Sequence, residues 1–329
     1  MGGFTNFSNG ISSLGIPILG CGIPFGKDSR VVFVDQLNGS DGQDGKTPKK
    51  AVATLSKAHS LMTSNRNDVA IVIGSVTGTN ANIASGSGSS IAVRESATLA
   101  WSKDQCHIIG ISHNRIAQRV SIRSDGTNFT PLVNVTGDGC VFANLHAFHG
   151  YDDASAQICW TDAGERNAYY NCHFFGMGHQ TAADQAGGRS LAITGTGLGE
   201  NYFKDCVIGG DTVTRGAANS SLVLSGGTTR NIFEDCIFPA NTDAATPLFV
   251  TIGASGIDRF VLFKNCVFNV FGTALTQAMS INASAGGNVL LNNCMAANVT
   301  EWDAGDSAYT DRPAAAATGG VAVTVAGTV

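Results

Sequence analysis

Apolar and polar positions recur along this chain with a long, nearly constant period. The stretches NYFKDCVIGG (201–210), NIFEDCIFPA (231–240) and FVLFKNCVFNV (260–270) share one pattern centred on a cysteine. Cys172, Cys206, Cys236, Cys266 and Cys294 are separated by 34, 30, 30 and 28 residues. A period of that size marks a stacked repeat. Three positions before each cysteine stand Tyr169, Phe203, Phe233, Phe263 and Leu291, and two after stand Phe174, Ile208, Phe238, Phe268 and Ala296. Strict alternation would place these flanking apolar residues on opposite faces, so the chain must bend between them. Asn171, Asp205, Asp235, Asn265 and Asn293, directly before the cysteines, suit that bend because Asn and Asp tolerate left-handed backbone. Each motif therefore reads as strand, sharp corner, strand. A further strand precedes it (SLAIT 190–194, SLVLS 221–225, LFVTI 248–252, MSIN 279–282), followed by turn residues. One period holds about three short strands and one longer excursion. Such a unit buries its apolar side only by stacking on like units about 4.8 Å away. The cysteines then fill an inward column as small, free hydrophobes, because parallel in-register side chains offer poor disulfide geometry.

The motif F-K-D-C-V-I at 203–208 and its relatives resemble the second-to-third strand corner of the right-handed parallel β-helix in the pectate-lyase-like superfamily. VVFVDQLNGSDGQDGKTPKKAVATLSKA (31–58) and NDVAIVIG (67–74) resemble that superfamily's entry segment, in which a strand, a Gly/Asp loop and a short helix lead into the first coil. HIIGIS (107–112) and RVSIRS (119–124) read as early coil strands. The expected fold is thus all-β, a single-stranded right-handed parallel β-helix with a short N-terminal capping helix. Thr54 caps that helix, and Leu55, Ala58, Leu61 and Met62 share one face that plugs the open end of the solenoid. The expected organisation is an apolar arm over 1–30, the β-helix over 31–299 and a tail over 300–329.

The outward columns carry the functional expectations. Lys204, Glu234 and Lys264 alternate in sign between coils, a solvated column that fixes register. Asp205 and Asp235 fall side by side in the corner column, where mutual repulsion would raise one pKa. Tyr202, Ile232, Leu262 and Leu290, with Val207, Ile237, Val267 and Met295, form two neighbouring outward apolar stripes. A patch of that extent marks an interaction surface. Either the chain's own excursions cover it or a second subunit packs there, and a homotrimer of side-by-side solenoids is the expected arrangement.

Composition narrows the classes. The 329 residues carry a net charge of −5, only 14% charged residues and 41 glycines, which fits a turn-rich β protein. No basic footprint for nucleic acid appears, and no apolar run reaches bilayer length. The first 26 residues lack charged side chains, unlike the positive start of a secretory signal. Nine cysteines without C-x-x-C pairs fit a reducing compartment.

Catalytic chemistry is not expected. Asp152–Asp153 is an adjacent acidic pair in a loop-like context, and no second set suited to glycoside cleavage or lyase chemistry accompanies it. His146, His149, His173 and His179 lie within two coils but match no metal-ligand spacing. Asp35, Asp41 and Asp44 with Asn38 offer oxygen ligands for calcium, yet D-G turn chemistry explains them as well. GTGLGE (195–200) runs into a strand, which excludes a phosphate-cradling loop. No metal and no cofactor is expected.

The N-terminal arm is apolar. Phe4, Phe7, Ile11, Leu14, Ile16, Ile18, Leu19 and Phe25 would gain several kcal/mol by docking, at roughly 25 cal/mol per Å². VAVTV (321–325) near the other end can pair with an exposed strand edge. FTNFSNGISSLGIPILG, followed by a strand and NGSDGQDGKTP, resembles the layout of bacteriophage virion proteins. That resemblance implies a trimeric capsid decoration protein, docked on the major capsid protein through the arm and assembled in the host bacterial cytoplasm. Tailspike-like receptor binding or polysaccharide depolymerisation is the alternative, and a secreted carbohydrate-active enzyme a third reading.

Overall fold

A computed structural model describes residues 28–74, 92–111, 120–124, 128–305 and 308–310, and the backbone of a small hairpin pairing Ser12–Ser13 with Ile16–Pro17. The chain winds through three parallel sheets in turn. Sheet A has ten strands: Val31–Val34, Asp68–Ile73, Cys106–Ile111, Val141–Ala143, Ala168–Tyr170, Tyr202–Lys204, Thr228–Glu234, Ile257–Lys264, Asn288–Asn292 and Ala308–Thr310. Sheet B runs from Ala92–Glu95 through Val120–Ser124, Leu145–Phe148, His173–Phe175, Val207–Ile208, Ile237–Thr242 and Val267–Gly272 to Met295–Ala297. Sheet C runs from Leu99–Trp101 to Met279–Ile281 and includes the four strands expected before the motifs. The solenoid continues past residue 299, since Ala308–Thr310 pairs with the preceding sheet A strand.

The corner between sheets A and B forms as the Asn/Asp positions imply. Asn144, Asn171, Asp205, Asp235, Asn265 and Asn293 all have φ between 50° and 58°. For an L-residue this conformation is costly, and Asn and Asp bear it best. Their side chains also link coils: Asn171 donates to Asn144 Oδ1 at 2.9 Å, Asn265 to Asp235 Oδ1 at 3.0 Å and Asn293 to Asn265 Oδ1 at 2.9 Å.

Inside, register places like upon like. Phe142, Tyr169, Phe203, Phe233 and Phe263 stack with ring centroids 4.8, 4.5, 4.6 and 5.0 Å apart and planes within 13°. The eight described cysteines are all buried and free. They do more than fill space. Each thiol of the corner column lies 3.3–3.5 Å from the carbonyl oxygen of the aromatic residue one coil earlier, from Cys172 on Phe142 to Cys294 on Phe263. A small donor thus meets a carbonyl at the bend without leaving a buried polar atom unmatched.

A second buried ladder lies at the turn from sheet C to sheet A. Asn167, Asn201 and Asn231 are fully buried. The side-chain oxygens of Asn167, Asn201 and Asn231 accept the backbone N–H of Cys140, Asn167 and Asn201 in turn, at 2.8, 2.9 and 3.2 Å. Just before them Arg166, Glu200 and Arg230 hold φ of 50–58°. These residue types do not advertise left-handed backbone, so the turn is invisible to propensity.

The cap matches expectation. Helix α1 (Leu55–Leu61) begins at Thr54, whose hydroxyl accepts Lys57 N–H at 3.1 Å, and it buries Leu55 and Ala58. The buried Glu95 carboxylate accepts Leu55 N–H at 2.7 Å, tying the helix start to sheet B. In the entry loop each carboxylate serves a turn: Asp35 accepts Leu37 and Asn38 N–H, Asp41 accepts Ala53 and Thr54 N–H, and Asp44 accepts Lys46 N–H. The oxygens considered for calcium are thereby engaged, and among the described residues no group of three or more metal-ligating side chains forms.

A carboxylate also points into the core in the middle of the solenoid. Asp162 sits in the inward column of sheet C, fully buried, and accepts Tyr169 Oη–H at 2.8 Å, Gly164 N–H at 2.9 Å and Asn167 Nδ2–H at 3.1 Å. This accounts for the tyrosine in a ladder of phenylalanines. Burial pushes the Asp162 carboxyl up from 3.8 to about 7, against those hydrogen bonds. The folded state therefore holds a proton that the unfolded chain releases. Its stabilising contribution is complete below about pH 4, drains as pH rises to about 7 and is absent above. The linkage is on the order of 4 kcal/mol.

Two outcomes are expected. Urea unfolding of Asp162→Asn should lose that decline between pH 4 and 7, while wild type keeps it. Phe233→Ala, which breaks the middle of the aromatic file, should lose about 3–5 kcal/mol of stability in the same assay.

Candidate interaction surface

The outer faces of sheets A and B hold the side chains of interest. On sheet A, register joins Tyr202, Ile232, Leu262 and Leu290 into one column. The column extends back through Ala168, Val141, His107 and Val69 to Val31. It is apolar at every one of these positions except His107, whose Nδ1 accepts Val141 N–H at 3.0 Å. Its N-terminal part is buried together with Phe33, Ala51, Ile71, Ile109 and Ala143, in a cluster separate from the solenoid interior. From Tyr202 onward the side chains are half-buried. The outer apolar face is thus longer than the repeat motif suggests and is covered over its first half.

The stripe Val207, Ile237, Val267 and Met295 lies on sheet B. It is not a direct neighbour of the sheet A stripe. The charged column and the corner residues stand between them, because the bend carries the chain onto another sheet before the next outward position. Ile237 and Met295 are 40% and 50% exposed; Phe271, four residues beyond Val267 on the same strand and in register with Asn241, is 51% exposed. Val267 is half-buried. Val207, at 8%, is buried, in register with His173, and offers no free surface.

The charges between the stripes are mutually satisfied. Lys264 Nζ lies 3.0 Å and Lys204 Nζ 3.7 Å from Glu234 Oε1, and Tyr202 Oη–H donates to Glu234 Oε2 at 2.5 Å. The Tyr202 hydrogen bond and then Lys264 hold Glu234 below its ordinary pKa. The expected repulsion between Asp205 and Asp235 does not raise the Asp235 pKa. Lys204 at 2.8 Å, followed by Asn265, lowers it, because the long lysine bridges from one coil to the next. A second ladder, Arg166–Glu200–Arg230, has N–O distances of 2.9 and 2.6 Å at the opposite turn.

The histidines do not converge. His146 and His173 stack at 4.6 Å, with His173 Nε2 donating to Gly209 O at 2.8 Å. His149 Nε2 donates to Phe129 O at 2.7 Å, and His179 Nδ1 lies 3.1 Å from Asp152. Asp152 accepts Thr181 Oγ1–H, whereas Asp153 accepts Ser155 N–H in a turn, so the two carboxylates serve separate partners. The arm residues Phe4, Phe7, Ile11, Leu14, Ile18, Leu19 and Phe25, the side chain of Ile16, and VAVTV (321–325) lie outside the described residues.

No family model and no curated protein matches the chain. Solved structures do. The pectate lyase Pel9A is similar over 83% of this chain at 13% identity and a TM-score of 0.54, and the chain spans 64% of that lyase's length. The pectin methylesterase PemA from Erwinia chrysanthemi is similar over 83% of this chain and 80% of its own, at 12% identity and a TM-score of 0.52. A Geobacillus virus E2 protein, ORF18, matches 82% of this chain and 53% of its own at 11% identity, but its TM-score of 0.43 is too low to carry an argument. Identities this low speak for architecture alone: the chain is a right-handed parallel β-helix of the pectate-lyase-like kind.

Proposed function

We propose that this chain is a structural protein of a bacteriophage particle, a homotrimeric capsid decoration protein docked on the shell through its N-terminal arm. The observation that carries the reading is the exposure of the large apolar side chains Ile237, Met295 and Phe271 on the outer face of sheet B, with the half-buried column from Tyr202 to Leu290 on sheet A beyond the charged corner. Large apolar side chains on a solenoid flank gain most from a protein partner. The intervening charges, locked in ladders, add register rather than an open acid–base pair. Eight buried free thiols accord with assembly in a reducing cytoplasm. The apolar arm supplies the contact with the major capsid protein.

A second reading rests on a different observation. Tyr202, Lys204, Glu234, Asp235 and Lys264 gather polar groups on one outward face, and the fold is shared with a pectate lyase and pectin methylesterases. A tailspike-like polysaccharide depolymerase would place its chemistry there. Loss of depolymerisation in Glu234→Gln would favour it over decoration.

Sedimentation velocity should give three times 33.9 kDa for wild type. The double substitution Ile237→Lys, Met295→Lys should shift it to monomer while leaving the thermal midpoint nearly unchanged, as expected of exposed sites. A monomeric wild type defeats the trimer. Removal of residues 1–26 should abolish binding to shells that lack the protein, and undiminished binding would reject the arm's role.

A further inference from the structure

The outer face of sheet A changes character along the solenoid. Over its first five strands two neighbouring columns point outward. One is Val31, Val69, His107, Val141 and Ala168, and the other is Phe33, Ile71, Ile109, Ala143 and Tyr170. At the sixth strand the second column turns to charge: Lys204 is in register with Tyr170, and Glu234 and Lys264 follow. The double-width apolar face therefore has a defined end.

This face is closed to water. Phe33, Val69, Ile71, Ile109, Val141 and Ala143 are at most 8% exposed, and His107 is fully buried. Side chains standing on one face of one sheet do not cover each other's tips, so a second layer has to lie over them. Among the described residues none does. The cluster consists of sheet A residues together with Ala51, next to the bridge between Val34 and Val52 at the sheet's first edge. His107 suits a dry cover. Its Nδ1 accepts Val141 N–H at 3.0 Å and its Nε2–H meets Asn67 Oδ1 at 3.3 Å, so it needs no water, and burial lowers its pKa to about 4.

Three stretches outside the described residues are long enough to supply the layer: 1–27, 75–91 and 112–119. The last two link sheet A to sheet B. SVTGTNANIASGSGSSI and SHNRIAQR are mostly polar, and their large apolar residues are Val76, Ile83, Ile91 and Ile116. IPILGCGIPFGK (16–27) alone carries Ile16, Ile18, Leu19, Ile23 and Phe25, with no charge before Lys27. This stretch also ends in the right place. Ser29 Oγ–H donates to Arg66 O and Arg30 N–H to Asp68 Oδ1, which pins the chain beside the face just before Val31. Five strands span about 19 Å at ~4.8 Å per spacing, a distance that roughly six extended residues cover.

We propose that residues 16–27 dock on the first half of the outer face of sheet A in their own chain and form its cover. The shell contact of the proposed decoration role then falls to residues 1–15, and the cover itself does not depend on that role.

Tyr170, at the half-buried rim of the face, is replaced by the photocrosslinker p-benzoylphenylalanine in the full chain, and crosslinks formed in the isolated protein are mapped by mass spectrometry. They are expected within residues 16–27, and a mixture of isotopically light and heavy protein tells the same chain from a second copy. Cys21 offers an independent readout, because the other eight cysteines are all buried. Its labelling by a maleimide should be about tenfold or more slower in the native protein than in urea. Full-length protein carrying Ile18→Asp and Leu19→Asp should lose the crosslink, label Cys21 at the unfolded rate and bind an apolar dye more strongly, while the solenoid keeps its circular dichroism. Absence of crosslinks, crosslinks to 75–91, to 112–119 or to another copy, or a double variant with unchanged crosslinking and labelling overturns the proposal. No shell is present in these measurements, so their failure and the failure of shell binding are told apart.

Discussion

The repeat in this molecule depends on one backbone event, which recurs at six successive corners from Asn144 to Asn293. A single Asn or Asp takes the left-handed conformation and turns the chain from sheet A onto sheet B. Because the bend consumes one residue, the aromatic residue two positions earlier and the cysteine one position later both point inward. Because the bend recurs at the same place in each coil, backbone hydrogen bonds hold successive coils in register, and equivalent side chains stack. The strain of left-handed backbone is offset at the corner by side-chain amide ladders and by the thiols that meet neighbouring carbonyls.

In-register stacking imposes a chemical rule on every column. Inside, neutral and apolar residues can repeat indefinitely, as the ring file does. A charge cannot, and the buried carboxylate of Asp162 is matched by the single tyrosine of that file, an amide and a backbone donor. Outside, repeated charges must alternate or find a bridging partner.

The same geometry shapes the surfaces. Sheet A carries an outward apolar column for nearly its full length, buried at the N-terminal end and half-buried beyond Tyr202. Sheet B carries its exposed apolar residues at the C-terminal end, where Met295 lies on the last strand. Among the described residues of sheets A and B, exposed large apolar side chains therefore gather toward the C-terminal end of the solenoid.

Much of this architecture was legible in the residue order. The cysteine period, the aromatic position before it and the Asn/Asp at the corner name the stack, its inward columns and its bend, because a solenoid converts sequence periodicity directly into spatial neighbours. The buried ladder of Asn167, Asn201 and Asn231 was present in the same period, five residues before each cysteine. It stayed hidden because the left-handed residues beside it are Arg and Glu, which have no preference for that conformation. Tertiary structure alone decided what lies across a bend or between coils. It moved the two apolar stripes onto separate sheets, buried Val207, let Lys204 reach Asp235, and aimed Asp162 at Tyr169. Those outcomes depend on where the chain returns after excursions of unequal length, and the spacing of a repeat motif does not encode that.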